Sequence, residues 1–378
     1  MEHYLDNSAT TKVCEEAARA AYEAMTSIYG NPSSTHTTGR EAKKLLDSAR
    51  AQVASAMGCK PTELVFTSCG SESDNWALLS GADAMKRKGK HIISSAVEHD
   101  AIRKTLEELE KLGYEVTRLA PDNTGAISVE SVKNALREDT ILVSLMLVNN
   151  ETGAVTDIPA VKKLLTARKS IALLHTDAVQ AFMKLPFTPR SLGADLITVS
   201  SHKINGPKGA GALWMREGLR LPPLLHGGGQ EQNYRSGTEA MPAIAGFGAA
   251  AKAYRLWAQQ NDPLQHYGSL RSLVAELLPD AVLVGRDSDA CAGHVCCVSF
   301  PGCRAEVLQN ALDAEGICVS RGSACAKGRR SHVLEAMELP APVIDGALRV
   351  SFGRDTTEDE VRSFCARVLA VKERFFRR

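Results

Sequence analysis

The stretch Ser200-Ser201-His202-Lys203-Ile204-Asn205-Gly206-Pro207-Lys208-Gly209 follows a short apolar run at 196–199. A lysine at a strand end, flanked by hydroxyl and imidazole donors and followed by glycines, is what an imine-forming amine beside a phosphate requires. Such an amine is fixed in place and can lose its proton when partly desolvated. A lone lysine is ordinarily a solvated side chain, so its company decides the reading. His175-Thr176-Asp177-Ala178-Val179-Gln180 follows an apolar run at 171–174, which puts Asp177 at the carboxyl edge of a sheet, where open α/β folds bind ligands. A carboxylate there can pair with a pyridinium nitrogen and keep the ring able to accept electrons; it can equally cap the next helix. Phe66-Thr67-Ser68-Cys69-Gly70-Ser71-Glu72-Ser73-Asp74-Asn75 joins a strand to a helix. The free N–H groups and dipole of such a helix start hold a phosphate, with Gly70 letting the backbone approach and Ser71 adding a hydroxyl; the same residues would also make a plain capped turn.

Two further residues carry chemistry of their own. Arg349 lies in Ala347-Leu348-Arg349-Val350-Ser351-Phe352, a stretch that reads as a strand, and a guanidinium there can clamp an α-carboxylate by two parallel hydrogen bonds. Cys325 sits in Arg321-Gly322-Ser323-Ala324-Cys325-Ala326-Lys327-Gly328-Arg329-Arg330. The surrounding cations lower a thiol's pKa and favour the nucleophilic thiolate. A buried inert thiol suits Cys296 and Cys297 in their apolar run and suits Cys325 poorly, because a polar basic loop is not a core.

The elements that must position these residues follow from the hydrophobic pattern. Apolar positions 42, 45, 46, 49, 53 and 57 keep the helical period up to Gly58, and 13–28 reads likewise. Apolar, β-branched runs at 64–66, 91–94, 116–119, 141–148, 171–174, 196–199 and 212–215, most of them separated by helix-like stretches, predict a largely parallel sheet covered on both faces. Beyond about residue 255 the rhythm changes to a helix, strands near 281–284, 295–300, 317–320 and 347–352, and a closing helix near 357–374. The expected division is a large α/β domain over 12–255 and a small α+β domain made of 1–11 and 256–378. Lys plus Arg total 45 against 44 for Asp plus Glu. That balance favours neither nucleic acid nor a membrane surface, and no apolar run approaches the roughly 20 residues of a membrane span. The N-terminus has no basic and apolar leader pattern, and the ten cysteines form no C-x-x-C pair. A cytoplasmic protein with reduced thiols is expected, without a metal site.

In spacing and order these motifs resemble the class V aminotransferase superfamily, and within it the cysteine desulfurases of the NifS and IscS kind. The resemblance spans almost the whole chain. It starts at Tyr4-Leu5-Asp6-Asn7-Ser8-Ala9-Thr10-Thr11 and runs through Gly30-Asn31-Pro32-Ser33-Ser34, Glu98-His99, Val148-Asn149-Asn150-Glu151-Thr152-Gly153 and the lysine motif. It continues in Gly227-Gly228-Gly229-Gln230-Glu231, Arg235-Ser236-Gly237-Thr238 and Gly322-Ser323-Ala324-Cys325. It implies a fold type I, aspartate-aminotransferase-like pyridoxal 5'-phosphate enzyme. L-cysteine would become L-alanine while its sulfur passes to Cys325 as a persulfide, for iron–sulfur cluster assembly or tRNA thiolation. By this resemblance Lys203 is the Schiff-base lysine, Asp177 the partner of the pyridine nitrogen and His99 the residue stacked on the ring. Gln180 and Asn150 match contacts to the ring oxygen and the substrate side, while Gly70, Ser71, Ser200 and His202 match the phosphate cradle. Arg349 matches the substrate clamp. Thr238 matches a residue that reaches the cofactor phosphate of the neighbouring subunit, which implies a homodimer. A sulfur-acceptor protein is the further partner.

Two positions depart from the pattern. Cys69 stands where many relatives have glycine, as a second thiol beside the cradle or a small neutral filler. The segment between Cys325 and Ser331-His332-Val333-Leu334 is shorter than in the IscS type, which bears on loop reach and acceptor choice. Selenocysteine lyase or another class V aminotransferase is the alternative reading, with a non-catalytic sulfur-relay protein behind it.

Overall fold

The computed structural model describes residues 3–285, 291–322 and 330–376. A short strand β1 (His3–Tyr4) leads into helices α1 (Glu15–Thr26) and α2 (Thr37–Met57). Helix α2 buries Ala42, Leu46, Ala49, Val53 and Met57 on one side, the face the helical period predicts. His36 caps its start by accepting the Gly39 N–H, and Gly58 ends it with φ +73°, a conformation that favours glycine.

Seven strands build the central sheet: β2 (Leu64–Thr67), β3 (His91–Ser95), β4 (Glu115–Leu119), β5 (Thr140–Ser144), β6 (Leu173–Asp177), β7 (Leu196–Ser200) and β8 (Gly211–Met215). Their spatial order is β2-β8-β7-β6-β5-β3-β4, and only β8 runs against its neighbours. All but the edge strand β4 are buried along their full length, as expected of a sheet with helices on both faces. Helices α3 (Gly70–Met85) and α4 (Asp100–Lys111) follow β2 and β3 directly. Two apolar clusters pack against the sheet: one joins Trp76, Ile92, Leu106 and Leu142, and the other Phe66, Val143, Ile197 and Phe247.

Two strands differ from the sequence expectation for a physical reason. The apolar run 171–174 suggests a strand that stops before His175, yet β6 continues to Asp177. His175 is fully buried within it, because Ser144 Oγ at 2.9 Å and Thr198 Oγ1 at 3.1 Å meet its two ring nitrogens. Burial holds that ring neutral, with its pKa pushed down to about 3. Conversely, the run 141–148 is strand only to Ser144; its second half stays buried while turning toward Asn149.

The remaining elements form a second layer system. Strands β9 (Val282–Leu283), β10 (Val295–Ser299) and β12 (Ala347–Ser351) make an antiparallel sheet in the order β12-β10-β9, while β11 (Ile317–Cys318) pairs in parallel with β1. The helices Pro263–Leu277, Ala305–Ala314 and Glu358–Phe376 cover them around a core of Leu5, Tyr267, Val298, Leu308, Leu348 and Phe364. The pairing with β11 carries the chain's first residues into this core, from which the opening motif returns to the central sheet.

Candidate active site

The carboxyl ends of β6 and β7, the first turn of α3 and the start of α4 surround a cavity of about 220 Å³. Gly70, Ser71, His99, Asn150, Asp177, Gln180, Ser200, His202, Lys203 and Arg349 all line it. Of the remaining candidates, Thr238 is exposed and stands outside this cavity, and Cys325 lies outside the described residues, as does most of the segment that follows it.

Each side chain is held by its element. Asp177 ends β6, 5% exposed, and its Oδ1 accepts the Val179 N–H at 2.8 Å. No helix starts there, so this bond closes a turn and does not cap a helix, and the carboxyl also faces the cavity. Burial pushes its pKa up, opposed by that hydrogen bond and by nearby His99 and Lys203. Lys203 follows β7 in a single turn, and its Nζ donates to the carbonyls of Ser8 and of Ala9, the latter at 2.8 Å. Gln180 Nε2 donates to the same Ser8 carbonyl at 3.0 Å. The opening motif is thus the lysine's backing. Thr11 N–H donates to the His202 carbonyl, Thr11 Oγ1 accepts the Asn205 N–H at 2.7 Å, and His202 Nδ1 meets Thr10 Oγ1 at 3.1 Å. Burial with Lys203 and Lys208 nearby pushes His202 down to about 3, so its ring is neutral.

The anion end is a helix start. Cys69 precedes α3 without a side-chain cap, which leaves first-turn N–H groups directed at whatever occupies the cavity. A Cβ on Gly70 would come within 3.0 Å of Val179 Cγ2, and one on Gly211 within 2.6 Å of the Cys69 carbonyl carbon. Both glycines let the helix start sit hard against the sheet. His99 precedes α4, and its Nδ1 accepts the Ala101 N–H at 3.2 Å. Arg349 is 2% exposed; its Nη1 donates to the Asn150 carbonyl at 3.0 Å and its Nη2 to Asp6 at 2.8 Å. Its Nε is a buried donor with no partner among the described residues.

Sequence reasoning missed Asp74, Ser8, Ala9, Met146 and Val179, which also line the cavity. Asp74 had a signal: four residues after Gly70, it shares that residue's helix face. It is 1% exposed, and burial, with Asp177 nearby, pushes its pKa well above the usual carboxylate value. Ser8 and Ala9 act through carbonyls, and backbone groups leave no mark in residue type. Cys69 does line the cavity.

The chain matches the model of the family "Aminotransferase class-V" over residues 3–364. It belongs to that family. A cysteine desulfurase IscS of Methanosarcina thermophila is 41% identical, covering 95% of this chain and 89% of its relative. Among solved structures, a NifS-like protein superposes with a TM-score of 0.93 at 34% identity, covering 99% of this chain and all of the other. A structure described as SspA in complex with cysteine reaches 0.82 at 30% identity, over 94% of this chain and all of that one. This class-V member therefore shares fold and length with relatives that act on, or hold, cysteine. Among the described residues no cluster of side chains could hold a metal ion, and no helix is long and apolar enough to cross a membrane.

Proposed function

We propose that the chain is a pyridoxal 5'-phosphate-dependent cysteine desulfurase that converts L-cysteine to L-alanine and places the sulfur on Cys325. The observation that carries this reading is the convergence of Lys203, Asp177, His99, Arg349 and an uncapped helix start on one cavity. The orphaned polar atoms of the walls fit the cofactor and its substrate: Ser8 Oγ, Ser200 Oγ and Arg349 Nε are buried without hydrogen-bond partners among the described residues. Gly70, Ser71, Ser200 and His202 would hold the phosphate, Asp177 the ring nitrogen and Gln180 the ring oxygen, with His99 over the ring and Lys203 as covalent anchor. When bound, the cofactor supplies an electron sink for the bonds at the substrate's α-carbon.

The chain's own residues do the rest. Arg349, with Asn150 beside it, orients the substrate carboxylate. The free Lys203 amine would take the α-proton and return a proton later, and His99 can carry protons in the same space. The Cys325 thiolate attacks the substrate sulfur. An S–S bond forms as the C–S bond breaks, so cysteine plus enzyme thiol becomes alanine plus enzyme persulfide. A homodimer in which Thr238 serves the neighbouring cavity completes the phosphate site, and an acceptor protein of iron–sulfur assembly or tRNA thiolation takes the sulfur. All cysteines among the described residues are free, which suits a reducing, cytoplasmic setting.

The test is incubation of the purified chain, loaded with cofactor, with L-cysteine. Alanine and a persulfide on Cys325, seen by mass spectrometry, are the expected products. Absence of alanine with or without a thiol reductant overturns the proposal.

A further inference from the structure

The turn that would receive the phosphate is shaped by a carboxylate. Glu72, in the first turn of α3, accepts the Ser68 N–H at 3.0 Å and the Ser68 hydroxyl, folding Ser68-Cys69-Gly70 into the approach to the helix. An acidic side chain in a first turn gains from the helix dipole. That gain comes from the same field an incoming phosphate would use, so an uncompensated Glu72 opposes a phosphate at Gly70 and Ser71. Its side chain is 12% exposed, and water screens little of that opposition.

Arg235 answers the charge. Its Nε donates to Glu72 Oε1 at 2.9 Å and its Nη2 to Oε2 at 3.2 Å, a two-pronged pair with Arg235 itself 21% exposed. The guanidinium and the Ser68 hydrogen bonds lower the Glu72 pKa against the upward push of burial, so the carboxylate stays ionised and the pair stays formed. Arg235 belongs to the segment that carries Thr238. Six residues after the Gly229 turn and four after Glu231, it is the second point at which this segment is fastened around β2 and α3, here at the first turn of α3. The first is Glu231, which takes Arg50 and the Phe66 N–H.

We propose that Arg235 is a positioning residue of the phosphate cradle, cancelling the Glu72 charge so that the turn shaped by Glu72 can accept an anion. This rests on the cofactor reading above and adds to it a residue outside the cavity wall.

The experiment is equilibrium dialysis of the cofactor-free full chain against pyridoxal 5'-phosphate and, separately, pyridoxal, which lacks the phosphate. Arg235→Gln is expected to weaken pyridoxal phosphate binding about tenfold while pyridoxal binding changes by less than about twofold, the size of one charge acting within a helix first turn. Glu72→Gln combined with Arg235→Gln removes the charge without restoring the fastening, and is expected to return pyridoxal phosphate affinity to within about threefold of the parent. Equal losses for both compounds overturn the inference in favour of a purely structural anchor, as does a double variant no better than Arg235→Gln. Thermal unfolding of each variant identifies one that fails to fold, and the double variant then decides alone. A parent chain that binds neither compound removes the cofactor reading itself, and this inference with it.

Discussion

Lys184 is a buried lysine whose charge is costly to hold, and replacing it tests the electrostatic description of the protein behind Gln180. It is 2% exposed, and its hydrogen bond to Gln180 Oε1 is long at 3.5 Å. Lys203 and Arg349 face it with like charge, while His202 and His294, both driven neutral by burial, add no further positive charge. Its pKa is accordingly pushed down to about 7 from 10.5, burial being the first cause. At about 1.4 kcal/mol per unit, a drop of that size corresponds to roughly 5 kcal/mol between the charged and neutral forms. Below pH 7 both folded and unfolded chains hold the proton, and the full penalty stands. Between 7 and 10.5 the unfolded chain binds the proton and the folded chain does not, so stability rises with pH across that window. Lys184→Met removes the titration while keeping an unbranched side chain of similar length. In urea unfolding of the cofactor-free chain at pH 6, 7, 8 and 9, the variant should exceed the parent by several kcal/mol at pH 6, the advantage shrinking steadily toward pH 9. A difference between the two that does not vary with pH would refute the reasoning, since it would mean Lys184 stays protonated, or its surroundings hydrated, throughout.

Three further outcomes can be checked. Arg50→Met leaves Glu231 buried without its bidentate partner and the Leu64 carbonyl without a donor. It should destabilise the chain by about 3–5 kcal/mol in chemical denaturation. Gly211→Ala drives a Cβ into the backbone of Cys69, so a loss of about 1–3 kcal/mol is expected together with weakened cofactor uptake, measured by dialysis. Cys325→Ser should keep the bound cofactor's colour and still bind cysteine yet lose alanine formation by orders of magnitude, whereas Lys203→Ala should lose the covalently held cofactor first, read by mass after borohydride reduction. Near-parental alanine formation by Cys325→Ser would remove that thiol from the chemistry and direct attention to Cys69.

The pattern of what was legible follows from where information sits in a chain. A buried strand such as β8 announces itself because both faces are apolar, and α2 because its apolar period is regular and ends at Gly58. The end of β6 was less legible. His175 and Thr176 are polar by type but buried by context, and for His175 the tertiary partners Ser144 and Thr198 make that context. Likewise Ser8 and Ala9 act through backbone carbonyls, to which side-chain chemistry is blind. Lys203, Asp177 and His99 were legible as candidates that line one cavity because each stands at an element end.

Arg349 marks the boundary between the two kinds of information. Its residue type says clamp, and its strand position says cavity. The sequence suggests a free fork for a carboxylate, but the structure has already engaged Nη1 with the Asn150 carbonyl and Nη2 with Asp6. Nε, with the second hydrogen on each terminal nitrogen, is what remains for a ligand. The preformed contacts limit the guanidinium's freedom, so less orientational entropy is lost when a carboxylate binds. They also connect the clamp to the first strand's continuation at Asp6 and, through the backbone pairing of Arg349 with Ser320, to the end of the strand that leads toward Cys325. A residue that reads as a local binding group is therefore also a junction where the opening motif, the substrate side of the cavity and the approach to the thiol-bearing segment meet.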